Sequence, residues 1–234
     1  MADAGLPQIL NELSAVGLST QDSSSDGPLA GPDEEDRIGV HEQNQPGLFS
    51  IGVPVAVGRL TGAQMRKIAD LAERHGAATI RLTAQQNILI PNIPKENVAA
   101  VLEGLGVVGL KASASPISLG LLACVEREFC RELIQHLEGR ILLEEPIQIH
   151  VSDGSGTCAH SAAAQIELHG NSSGFDISIA SSAPILCNVP ASEVKVRLEQ
   201  LLVGYKKRRK AGESFNQFCR RVGDSHLARI LEPV

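Results

Sequence analysis

The chain has 234 residues, enough to bury a proper core and two lobes of one. Its net charge of −6 and aromatic content of 3% argue against generic nucleic-acid binding, which wants a basic surface and rings for bases to stack on. Five cysteines without the spacing of a disulfide scaffold suit a reducing compartment, and neither a membrane-length apolar run nor a secretory leader is visible, so a cytoplasmic protein is expected, with no membrane partner.

The first stretch, LPQILNELSAVG, carries apolar residues at Leu6, Ile9, Leu10, Leu13 and Val16, a short helical stripe ended by Gly17. TQDSSSDGPLAGPDEEDR follows as loop, rich in Ser, Asp, Gly and Pro. Residues 1–46 therefore read as a helix and a flexible leader. From Leu48 the pattern becomes regular. LFSIGVPVAVG alternates and is rich in Val and Ile, which predicts a strand. Thr61 can cap a helix over AQMRKIADLAERHG, with Met65, Ile68, Ala69, Leu71 and Ala72 on its buried face and Gly76 as the stop. ATIRLT and NILIPNI are two strands around a turn at Ala84–Gln86, and KENVAAVLEGLG is a second helix. Strand, helix, two strands, helix makes most of a ferredoxin-like split β-α-β lobe, hence an α+β class.

SASPISLG reads as loop, and LLACVEREFCRELIQHLE turns helical near Glu126. IQIHVS, AQIELHG and FDISIASS are strands, and ILCNVP leads into an amphipathic helix, SEVKVRLEQLLVGYKKRRKAG, with a basic end. SFNQFCRRVG and DSHLARILEPV finish the chain as helices.

Four features can carry chemistry. Cys124 and Cys130 are separated by five residues near a helix start, and Cys158 arrives from a glycine-rich turn after a strand. Three thiols can thus converge, and thiolates favour iron–sulfur clusters or zinc. Cys187 and Cys219 lack partner spacing and read as small buried hydrophobes. RLTAQQN, Arg81 to Asn87, offers a guanidinium, a hydroxyl and three carboxamides within one turn. Arg81 suits bidentate carboxylate binding, although polar side chains in a turn also cap strand ends. KKRRK, Lys206 to Lys210, complements a helix dipole or offers a salt-sensitive patch to an acidic partner. His160, two residues after Cys158, is a candidate proton donor or a structural hydrogen-bonding group.

These stretches resemble the siroheme-dependent nitrite and sulfite reductases. That family carries a C-x5-C pair, then a strand and a turn of the type S-G-C-P-N-S-C, and Ser152 to Cys158 keeps the turn's first and last anchor points. The resemblance places Cys124, Cys130 and Cys158 on three of four ligands to a [4Fe-4S] cluster, with Cys158 where a cysteine also bridges to siroheme iron. Gly154 takes the fourth ligand position and has no side chain to offer. The missing ligand is then Asp153, a group from another chain, or nothing; three thiolates could also hold zinc with an open fourth position.

A family segment R-L-T-x-x-Q-N borders the cofactor cavity, which implies Arg81, Gln85 and Asn87 as siroheme contacts, with Thr83 a lesser one. RIGVHEQNQPGL, GVPVAVGRLT and GESF are similar as well, with a fainter echo over residues 6–31. The implied organisation is a leader over 1–46, a ferredoxin-like domain over 47–116, and a siroheme and iron–sulfur domain over 117–234. Most of the family's first half has no counterpart here.

Two functions follow from the resemblance. One is an oxidoreductase with siroheme and a [4Fe-4S] cluster that reduces nitrite or sulfite, its other cavity wall rebuilt by a homodimer or a first-half subunit. Its electron donor would be a ferredoxin-type protein. The other is a non-catalytic half-reductase homologue, an electron-transfer or partner subunit with a decayed cofactor site.

Overall fold

The computed structural model describes residues 37–153, 164–180 and 183–232. Its first lobe is a four-stranded antiparallel sheet under two helices. The strands are β1 (Gly39–Glu42), β2 (Leu48–Val53), β3 (Arg81–Leu82) and β4 (Ile88–Pro94), in the order β1-β2-β4-β3. The helices are α1 (Gly62–His75) and α2 (Val98–Val107). This is the expected split β-α-β pattern with one addition. The outer position beside β2 is filled from the N-terminal side, by a hairpin strand inside RIGVHEQ, a segment expected as leader.

Thr61 starts α1 with a full capping box: its side chain accepts from Gln64 N, and the Gln64 side chain accepts from Thr61 N. Ile68, Leu71 and Ala72 on that helix pack with Ile51, Val53, Ile90, Val101 and Leu105. Gly104 lets the two helices close up, because a Cβ there would lie 2.5 Å from Leu71 Cδ2. Met65, expected on the buried face, is 49% exposed; it lies one turn ahead of Ile68, where the stripe outruns its cover.

The strand expected over Leu48 to Gly58 is shorter than its alternation suggests. It stops at Val53, before Pro54, which has no N–H to give the ladder. A 3-10 turn follows at Ala56–Gly58, with Val57 at φ +51. Val57 is buried in the second lobe's core rather than the first's, so this turn ties the lobes together.

The second lobe is a five-stranded sheet of β5 (Leu121–Ala123), β6 (Ile149–Ser152), β7 (Ile166–Asn171), β8 (Gly174–Ile179) and β9 (Pro184–Val189), in sequential order. The strands β5, β6 and β7 are parallel; β8 and β9 continue antiparallel. Five helices complete it: α3 (Pro116–Gly120), α4 (Arg127–Glu138), α5 (Ala191–Arg208), α6 (Phe215–Val222) and α7 (Asp224–Ile230).

Two expectations change here. SASPISLG is not all loop, since Ser115 caps a short helix by accepting from Ser118 N, with Pro116 at its first position. ILCNVP is an edge strand, bulged where Phe175 and Ile177 pair with it. The alternation of the strands divides their faces. Ala123, Ile149, Val151, Ile166, Leu168, Ile177 and Ile179 join the large apolar core with Leu133, Leu137, Leu198 and Leu202 of the helices. The residues between them point to the opposite face.

Candidate functional site

The strands β5 and β6 end side by side, and Cys124 is the first residue beyond β5. Its N–H donates to Val151 O at 3.0 Å, which fixes the main chain there. Carboxyl ends of parallel strands are where open α/β sheets gather ligands. Register places His150 beside Leu122 and Glu167, and Ser152 beside His169. Period two then puts Cys124, His150, Ser152, Glu167 and His169 on the face away from the core.

That face is polar yet largely covered. His150 is 2% exposed, and its Nε2 lies 3.4 Å from Cys124 Sγ. Ser152 Oγ lies 2.9 Å from His169 Nδ1, and His169 Nε2 lies 3.0 Å from Glu167 Oε2. Ser178 on β8 shares the face, opposite Glu167. Neither His150 nor His169 was singled out in the sequence. The signal was there in the alternation of IQIHVS and AQIELHG, which sends their polar residues to one side.

The two cysteines of the C-x5-C pair have different surroundings. Cys124 is half-buried at the strand end. Cys130 lies one turn into α4, is 0% exposed, and packs in the apolar core with Phe129, Leu133, Ile134 and Leu137. Its Sγ donates to Val125 O at 3.8 Å. Burial pushes its thiol up to about 12, the form that keeps its proton. Asp153 is exposed at the end of β6. Cys158, Gly154 and His160 lie outside the described residues. Among the described residues no group of three or more His, Cys, Asp or Glu is placed to hold a metal ion. A four-thiolate cluster therefore does not fit what is described: one thiol is part of the core, and the glycine at position 154 adds none.

The Arg81 to Asn87 segment forms the outer edge of the first sheet. Arg81 and Leu82 make up β3 and are exposed, Leu82 at 79%. The turn closes on itself: Thr83 N donates to Asn87 O, Asn87 N to Thr83 Oγ1, and Gln86 N to Thr83 O. Asn87 is buried and its Oδ1 accepts from Val55 N at 2.9 Å, pinning this turn to the Pro54–Gly58 turn. Gln86, at φ +62, packs against Gly58, where a Cβ would come within 2.4 Å of its Oε1. Of its polar members, Arg81 is exposed and Gln85 half-buried. Asn87 and Thr83 hold the turn's shape.

Much of the basic end of α5 is engaged. Lys206 donates to Leu142 O, and Arg209 pairs with Glu144 at 2.6 Å while lying 5.5 Å over the Tyr205 ring. Arg208 lies 2.9 Å from His226 Nε2. Lys207 and Lys210 of this run are exposed. No helix of the described residues is long and apolar enough to cross a membrane.

Comparison with known proteins agrees with this architecture. Residues 41–108 match the family described as the nitrite/sulfite reductase ferredoxin-like half domain. The assimilatory ferredoxin-dependent nitrite reductase of Haloferax mediterranei is 28% identical, over 86% of this chain and 39% of its own length. Sulfite reductase [ferredoxin] 2 of Mycolicibacterium paratuberculosis is 27% identical, over 86% of this chain and 43% of its own. The structure of the Mycobacterium tuberculosis NirA protein superposes with a TM-score of 0.70 at 25% identity, covering 96% of this chain and 47% of that one. This chain thus spans less than half the length of those relatives. It is a relative of the nitrite and sulfite reductases, with an α+β fold.

Proposed function

We propose that this relative of the nitrite and sulfite reductases serves the reduction of nitrite or sulfite as one half of a two-half unit. The observation that supports it most is continuity. Nearly the whole chain, 96%, superposes on 47% of the Mycobacterium tuberculosis NirA structure, so about half of that architecture is present in these residues. The facing wall would come from the rest of that architecture, whether in the same polypeptide, a second copy or a separate subunit. Siroheme, when bound, supplies the multi-electron reduction, and the protein's part is binding and orientation. In this chain Arg81 would hold a carboxylate of the macrocycle by its fork of N–H donors, and Gln85 would hydrogen-bond beside it. The Asn87–Val55 bond would keep that edge in place. The electron donor would be a ferredoxin, the donor named for the relatives; Lys207 and Lys210 offer it positive charge. No step is assigned to a four-thiolate cluster.

A second reading has its own support. The burial of Cys130 and the glycine at position 154 favour a partner subunit that keeps the fold without the cofactor chemistry. Anaerobic purification from cells that make siroheme separates the two. The first predicts a siroheme absorption band and oxidation of reduced methyl viologen that depends on nitrite or sulfite. A colourless protein without turnover would leave only the second.

A further inference from the structure

A cavity of about 270 Å³ opens where the first lobe hands over to the second. One wall is residues 54–60, the turn after β2 and the approach to α1; the other is residues 109–118, which lead from α2 into α3. Val57 of that turn is buried in the second lobe's core, so both links between the lobes border the cavity. The wall is held in advance. Gln64 accepts from Thr61 N through its side-chain oxygen and donates from Nε2 to Val108 O, which ties the start of α1 to the end of α2.

Arg59 and Lys111 line the cavity together with Ser113 and Ser118, and no carboxylate does. Among the described residues none of these four side chains has an ion-pair or hydrogen-bonding partner. Two positive charges and two hydroxyls therefore share one concave surface with nothing to neutralise them. Such a surface draws in an anion, and the guanidinium fork suits an oxyanion best. Val55, Leu60 and Leu110 add an apolar patch to the same lining. The ligand class follows from these counts. A single carboxylate brings one charge and two oxygens, which leaves a cation unmatched. A phosphate monoester brings close to two charges and three free oxygens, and its organic group can cover the apolar patch.

We propose that this cavity binds a small organic phosphate monoester, its phosphate between Arg59 and Lys111 with Ser113 and Ser118 donating to its oxygens, and its organic group against Val55, Leu60 and Leu110. The volume is at the low end for a small-molecule site and too small for a tetrapyrrole. Neither Arg81, Gln85 nor Cys124 lines it, so it is separate from the candidate cofactor residues. A bound monoester would bridge the 54–60 turn and the 109–118 connection and so brace the junction of the lobes. The proposal goes beyond the reductase reading and is independent of it, since its readout requires neither siroheme nor turnover.

The test is calorimetric titration of the full chain with phenyl phosphate, inorganic phosphate and phenol in turn. Expected is one phenyl phosphate per chain, bound at least about tenfold more tightly than inorganic phosphate because the ring covers apolar surface. Phenol alone should not bind, added salt should weaken the phenyl phosphate complex, and the ligand should raise the melting temperature. Arg59→Met and Lys111→Met should each weaken binding by at least about tenfold. Arg66→Met, which removes an exposed cation on α1 outside the cavity, should leave it unchanged. All three side chains are exposed, so circular dichroism should show the parent fold in each variant. No binding of phenyl phosphate, equal affinity for inorganic phosphate, or full affinity in a folded Arg59→Met or Lys111→Met overturns the proposal.

Discussion

Replacing Cys130 tests whether its sulfur is a packing group or a ligand held ready. In Cys130→Ala the side chain loses one large atom from a site with no solvent exposure. The lost transfer free energy is about 1 kcal/mol, by comparison with a buried methylene. A residual void of about 25 Å³, at about 24 cal/mol per Å³, adds about 0.6 kcal/mol. The sum, about 1.5 kcal/mol, corresponds to a fall in melting temperature of about 3–6 °C for a chain of this size. Cys130→Ser fills the void better but places a hydroxyl among Phe129, Leu133 and Leu137, and should cost about 1–3 kcal/mol even with Val125 O within reach. Urea unfolding followed by circular dichroism on the metal-free protein measures both. A thiol poised toward an open ligand site would behave otherwise: both variants would lie within about 0.5 kcal/mol of the parent, and that result would refute the reasoning.

Three further outcomes follow from other parts of the fold. Asn87→Ala should destabilise by about 1–3 kcal/mol, because it strands the buried Val55 N–H, and amide exchange at Val55 should quicken in the same variant. Gly120→Ala should fail to fold or unfold at much lower urea, since its Cβ would stand 2.2 Å from Ile147 O, a backbone atom that cannot yield cheaply. The pH dependence of stability should fall at both ends. Burial raises the Cys130 and Cys219 thiols from 9.0 to about 12, so their contribution is complete below pH 9 and is lost as pH rises toward 12. The hydrogen bond from Arg221 lowers the Glu213 carboxyl from 4.5 to about 2, so its contribution is present above pH 4.5 and is lost as pH falls toward 2. Urea midpoints across that range, with Arg221→Leu flattening the acid limb, check both signs.

Much of the fold was legible because local rules and tertiary demands agree. Thr61 caps its helix as the sequence implies, and NILIPNI is the central strand its apolar run suggests. The misses have physical causes. RIGVHE pairs as an edge strand, where one face is open and the apolar pattern is thin. LLA before Cys124 is too short to show a period, although parallel pairing with β6 makes it a strand. ILCNVP carries its bulge and exposed edge, and so read as a lead-in to the helix. The site was legible in part. Spacing found Cys124 and the Arg81 turn, but it could not tell that Asn87 and Thr83 turn inward to hold the loop. Nor could it tell that a cysteine in the first turn of the following helix lies on the core side. His150 escaped because its partner stands on another strand, and only register brings them together.

The central claim, that this chain is one half of a nitrite or sulfite reductase unit, is tested most directly on material purified anaerobically from cells that make siroheme. Visible absorption and light-scattering mass would be recorded across the same chromatographic peak. The account predicts that the siroheme absorption travels with a species heavier than one chain, either a homodimer or a complex with a second subunit. Protein that elutes only as a colourless single chain would contradict it.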